Sequence, residues 1–213
     1  MHTFLNTYLQ SIALVEMSLV CAAVFIWLMQ ILFQQTLPLV VKVILLCIIA
    51  NLFFWPIGSL GLSLELPLSA YVRGVIGDLS TVTVVLLLTT LLMRNQSTPW
   101  IVKLVIGLIG ICFYSFALGL GMFDPYGWGY SSVALLIAVI IFALMCAAAN
   151  WNKGVWAIGL AMIAWSVRWH ESTNLWDYLI DPFLVTWAIL GLVATIVKKR
   201  KEKARSGYLF RPG

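Results

Sequence analysis

Arg168, His170, Glu171, Asp177 and Asp181 crowd into one stretch, VRWHESTNLWDYLIDP (167–182), between long apolar runs. Only 10% of the 213 residues are charged, so the concentration demands a reason. A guanidinium here would hold phosphate bidentately. The carboxylates would accept hydrogen bonds from hydroxyl or ammonium groups. His170, Glu171 and Asp177 are also types that ligate divalent cations, but one histidine with scattered carboxylates is a poor ligand set, and no metal is expected. The same residues have quieter uses. Arg168 can pair with an acid in a salt-bridged cap. Asp181 before Pro182 reads as an N-cap with proline at the first helical position. Asp177 and Asp181 share a face if 175–181 is helical.

Three more places carry costly polar groups. In YVRGVIGDLST (71–81), Arg73 and Asp78 are five residues apart. On a continuous helix they point about 140° apart and do not pair. Arg73 then either snorkels to headgroups or helps hold an anionic head, and Asp78 finds another helix or a polar cavity. Gly74 and Gly77 would permit close backbone approach. In GLGMFDPYGWGY (119–130), Asp124-Pro125 with Gly127 and Gly129 is turn chemistry. The link is either an aromatic-anchored turn or a sugar platform, with Trp128 stacking and Asp124 accepting hydroxyls. Glu16 lies near the headgroups or joins Asp78 or Arg168. Asn51 is expected to bond between helices beside a kink at Pro56.

The elements that must position these residues are membrane spans. The chain is 62% hydrophobic, with a mean hydropathy of +1.02. Crossing a bilayer core takes about 20 apolar residues. Seven spans are predicted, at 11–33, 38–60, 68–93, 99–121, 131–149, 154–169 and 179–197, giving an all-α polytopic bundle in which the tight, polar link ANWNKG makes a hairpin of the fifth and sixth. The alternative is six, with 154–197 forming one crossing and a re-entrant or interfacial piece. Residues 1–197 form a single transmembrane domain and 198–213 a basic tail. The tail KKRKEKARSGYLFRPG holds seven of the thirteen lysines and arginines, which places it in the cytoplasm. Counting back puts Lys42, Arg94, Lys103 and Lys153 on the same side and the amino terminus outside. Glu65, Asp124, Glu171, Asp177 and Asp181 then fall in or beside outer loops, where only Arg73 and Arg168 are basic. A working surface or cavity opening outward is the natural expectation.

Composition also excludes. There is no basic face with aromatic platforms for nucleic acid. Cys21, Cys47, Cys112 and Cys146 sit within spans without a CxxC pair and read as small apolar residues. With two histidines, bis-histidine haem is not expected, and no cofactor is. The familiar nucleophile, phosphate-loop and zinc motifs are missing. The basic tail is expected to meet anionic membrane lipids.

RGVIGDLSTVTVVLLL, with Arg73 shortly before Asp78-Leu79-Ser80, resembles the N-terminal membrane domain of alkaline-phosphatase-like phosphoethanolamine and phosphoglycerol transferases. FDPYGWGY is similar to their aromatic periplasmic links. The resemblance spans about thirty residues. It implies a membrane domain alone, because the soluble domain with its threonine nucleophile and zinc or manganese ligands has no counterpart here. No catalytic residue carries over. The expectation is a bacterial-type inner-membrane protein, a non-catalytic partner subunit of another membrane protein in envelope lipid or glycan modification. Arg73, Asp78, Asp124, Trp128, Arg168, His170, Glu171, Asp177 and Asp181 would form its outward site. The alternatives are a small transporter or channel subunit using Asp78 and Glu16 as protonatable groups, and an intramembrane lipid-modifying enzyme.

Overall fold

The computed structural model describes residues 2–56, 66–93, 97–130 and 132–209, with side chains given for described residues between Leu9 and Lys203. Glu65 and Arg94 lie outside the described residues. Among those described, the chain is helical throughout, without strands: α1 His2–Leu32, α2 Leu39–Phe54, α3 Leu68–Ile76, α4 Thr81–Leu92, α5 Trp100–Ala117, a 3₁₀ helix Tyr126–Tyr130, α6 Val133–Ala148, α7 Asn152–Ser166, α8 Trp176–Leu179 and α9 Pro182–Leu209. The stretches Leu9–Leu32, Trp100–Ala117 and Pro182–Lys203 are each long and apolar enough to cross a membrane. The shorter α2, α4 and α6 are also apolar. Large side chains such as Phe25, Leu28, Ile31, Leu144, Ile163 and Leu190 face outward, exposed. A water-soluble monomer does not tolerate an apolar surface of that extent; it is the build of a membrane protein.

Local chemistry sets the helix ends. The Ser80, Ser132 and Asp181 side chains accept backbone N–H bonds from Thr83, Leu135 and Leu184 at the starts of α4, α6 and α9. At the ends of α6 and α7, Asn150 and Arg168 adopt left-handed φ values of 54°. There Trp151 N–H reaches back to the Cys146 carbonyl and Trp169 N–H to that of Ala164, the paired bonds of a Schellman close. The tight 149–151 link turns α6 and α7 into the expected hairpin.

The main departure from the sequence reading is the third predicted span. Residues 68–93 do not make one helix. Gly77, at φ +76°, ends α3, and residues 77–80 run non-helically before α4 begins. Gly74 and Gly77 make no close helix contact, since a Cβ on either would meet nothing within 4 Å. Gly77 is there for its backbone angle. Two smaller expectations also fail. Asn51 bonds the Cys47 carbonyl of its own helix, 2.8 Å away. α2 stops at Phe54, so Pro56 ends a helix and does not kink one.

α4 is the central element. Its Val82 and Leu86 enter a large core with α5, α6, α7 and α9, while Val84 and Leu91 pack on α1 and α2. α5 and α9 run antiparallel along a close seam, where Gly110 faces Val185 and Gly107 faces Ile189. A Cβ at Gly110 would overlap the Val185 side chain. Gly110→Val should therefore cost about 1–3 kcal/mol in detergent unfolding. Gly159→Val, where the added Cβ meets nothing, should leave the midpoint unchanged. Equal midpoints for both variants would mean the seam is not tightly packed.

Candidate functional site

The two ends of the bundle differ in charge. At one end, Lys42 donates to the Leu91 carbonyl at the close of α4 (2.8 Å), Lys103 lies across Gly191, and Lys199 stands over the Trp100 ring. The other end gathers Glu16, Asp78, Glu171, Asp177 and Asp181. Here the break between α3 and α4, the 124–130 turn and the 167–181 link meet.

The link is a folded frame. The buried Tyr178 hydroxyl accepts from His170 N–H (3.1 Å) and donates to the Ser172 carbonyl (2.9 Å). Buried Asn174 donates to the Tyr126 carbonyl and accepts from Trp176 N–H, both at 2.9 Å. Trp176 donates through its indole to the Pro125 carbonyl at 2.9 Å. These bonds lock the aromatic turn onto the link. Gly129 sits so close to Asn174 that a Cβ there would collide with it.

Asp78, Tyr114, His170, Ser172, Ile180, Pro182 and two more acids, Asp177 and Asp181, line a cavity of about 210 Å³ at this end. Each acid arrives by a different route. Asp181 is 5% exposed and caps α9 as the sequence suggested, accepting from Leu184 N–H at 2.7 Å. Its second oxygen accepts from Ser80 N–H at 2.8 Å. Asp177 accepts from the Tyr126 hydroxyl (3.0 Å) and from the Ser172 hydroxyl. Both bonds fall on Oδ2, leaving Oδ1 without a donor among the described residues. The expected shared helical face of Asp177 and Asp181 is absent. α8 ends at Leu179 and Ile180 is extended, and the cavity brings the two acids together instead.

Arg73 and Asp78 correct the sequence reading directly. The guanidinium holds the carboxylate with two bonds, Nε to Oδ1 and Nη2 to Oδ2, the latter at 2.8 Å. The helical geometry that would have kept them apart ends at Gly77. Arg73 also stands 3.7 Å from Glu171, joining α3 to the link. At the frame, burial holds the Tyr178 hydroxyl pKa above the ordinary phenol range. Burial first, then the Asp177 bond, does the same for Tyr126.

Glu16 joins neither Asp78 nor Arg168. It accepts from the Trp169 indole (3.1 Å) and lies 3.2 Å from His170 Nε2. The imidazole side chain is 8% exposed and stacks on Tyr178. A carboxylate can only accept here, so Nε2 is the donor in this contact. The arrangement is a carboxylate-held imidazole beside a polar cavity.

The remaining predicted residues stay outside the cavity. Asp124 accepts from Tyr126 and Gly127 N–H at 2.9 and 3.2 Å, closing its own turn. Trp128 packs edge-on against Phe123. Arg168 is exposed, ends α7, and forms no ion pair among the described residues, so the expected pairing with an acid is absent. His170, Glu171 and Asp177 go to three different partners. No group of three His, Cys, Asp or Glu side chains among the described residues is placed to hold a metal.

Sequence reasoning missed Tyr114, Ser172 and the Glu16–His170 contact. Ser172 stood inside the quoted stretch, and its hydroxyl between two acids was the available signal. Tyr114 carried only its phenol in an apolar run. Comparison with protein-family models, curated proteins and solved structures finds no match to this chain.

The two-bond contact between Arg73 and Asp78 carries a stability prediction of its own. Asp78→Asn keeps the side chain's shape and removes its charge, and should cost about 1 kcal/mol in detergent unfolding at neutral pH, as a partly exposed ion pair does. An unchanged midpoint would show that the ion pair contributes nothing.

Proposed function

We propose that the chain is an integral protein of a bacterial-type inner membrane, an accessory subunit in envelope lipid or glycan modification, without catalysis of its own. In this reading α1, α2, the α3–α4 pair, α5, α6, α7 and α9 make seven crossings. The lysine-rich end is cytoplasmic and the acidic cavity opens outward. One observation carries the proposal. At a single end of an apolar bundle, a free Asp177 oxygen, His170, Ser172 and Tyr114 surround a small polar cavity. Its volume suits an amine or hydroxyl head and not a whole lipid. Arg73 is committed to Asp78, so the phosphate role falls to the exposed Arg168. The likeness of 73–80 and 123–130 to transferase membrane domains favours a phospholipid-derived head.

The discontinuous α3–α4 element favours a second reading, a transporter or channel subunit, since broken helices line ion and substrate paths. Asp78→Asn separates the two. It should abolish proton-coupled flux in a transporter and leave complex assembly intact in a subunit.

Native mass spectrometry of protein extracted gently from its own host tests the proposal. A second protein retained at fixed stoichiometry is expected. A bare monomer or homo-oligomer would contradict the partner role. Met122 is fully exposed beside the aromatic turn. Met122→Cys should react with an impermeant maleimide from the outside only, and labelling solely from the cytoplasmic side would invert the topology.

A further inference from the structure

The lysine-rich end holds a second group of polar atoms that the acidic cavity does not use. Trp151 and Lys153 flank Asn152 at the start of α7. Their residues are 3% and 7% exposed, yet Trp151 Nε1 and Lys153 Nζ have no hydrogen-bond partner among the described residues. A buried ammonium without an acceptor is costly. Two orphaned donors within three residues need a common cause.

The backbone supplies more donors of the same kind. α7 has fifteen residues, and Trp151, its cap residue, gives it no side-chain cap. The Trp151 N–H bonds the Cys146 carbonyl and the Gly154 N–H bonds the Trp151 carbonyl. The N–H groups of Asn152 and Lys153, the first two of the helix, have no acceptor among the described residues, as first-turn amides do without a cap. The indole folds back over this turn, since a Cβ at Gly154 would run into its six-membered ring. Helical side chains lean toward the N-terminus, which carries the Lys153 stem the same way. The unpartnered ammonium and indole N–H therefore belong to the same turn as two free amides, at the positive end of a helix dipole.

We infer that the start of α7 binds a phosphate group, held by Lys153, Trp151 and the first-turn amides. Phosphate offers several acceptor oxygens, and a helix N-terminus with a buried cation is built for it. Asn152, between the two, is exposed, so the turn lies at the surface of the bundle. Lys42, Lys103, Lys198 and Lys199 at the same end add a favourable field. The phosphate is that of an anionic lipid head or free phosphate; the recognition chemistry is shared. The site is at the opposite end from the acidic cavity and is independent of the function proposed for that cavity.

The test is thermal unfolding of the purified full chain in neutral detergent with dihexanoyl phosphatidic acid, inorganic phosphate or dihexanoyl glycerol. Phosphatidic acid should raise the midpoint and the glycerol should not. Lys153→Met, an apolar near-isostere, should weaken the phosphate effect about tenfold or more, as loss of a charge-assisted contact does. The tail lysines are intact in both proteins, so their contribution cancels. If Lys153→Met does not fold, Trp151→Phe carries the test, deleting the indole N–H while keeping a ring in the core. A shift with inorganic phosphate at equal concentration makes free phosphate the ligand; a shift with phosphatidic acid alone makes it the lipid head. No shift with either, or equal shifts in wild type and the variants, overturns the site.

Discussion

The Asp181 carboxylate is divided between two helices. One oxygen takes the Ser80 N–H at the start of α4, and the other takes the Leu184 N–H in the first turn of α9. Both helices direct their positive ends at the same buried charge. That sharing sets α4 and α9 side by side at one end of the bundle. It also fixes the start of α4 directly after the non-helical 77–80 segment, which lets Asp78 turn toward Arg73. Without the shared charge, two helix starts would compete for solvent in a region that has little of it.

From this anchor the rest of the acidic end follows as a chain of dependent contacts. Asp181 places Pro182 and Ile180 on the cavity wall. The link before it is braced by Tyr178 and Asn174, which hold His170 and Ser172 in place and clamp the aromatic turn through Tyr126 and Trp176. Glu16 then ties α1 to the frame through His170 and Trp169. Five acids gather at this end, each beside a donor or cation: Asp78 and Glu171 share Arg73, and Glu16, Asp177 and Asp181 accept from neighbouring N–H and O–H groups. The lysine-rich end is governed differently, by lysines set near helix ends and by a buried donor group at the start of α7.

Much of this was legible in the sequence where it depends on local pattern. Apolar run length announced a helical membrane protein. Asp181-Pro182 announced the start of α9, and the Asn150 link announced the α6–α7 hairpin. Four of the nine residues chosen for the outward site, Asp78, His170, Asp177 and Asp181, line one cavity, and Arg73 and Glu171 pair beside it. What failed was long-range or conformational. A positive φ at Gly77 is invisible in a span whose hydropathy continues through it, so helical spacing separates Arg73 from Asp78 on a helix that in fact stops between them. The Glu16–His170 contact joins residues 154 apart in sequence, and no local spacing encodes it. Asp124 and Trp128 looked chemical by type, yet their bonding serves their own turn.

The most direct test of the account is the stability of Asp181→Ala against Asp181→Asn, measured by thermal or denaturant unfolding in detergent. Losing both caps leaves two buried N–H groups unpaired and should cost about 2–4 kcal/mol in the alanine variant. Asparagine, with one carbonyl oxygen, can serve one helix and should fall between alanine and wild type. Alanine and wild type unfolding together would contradict the claim that this carboxylate organises the acidic end.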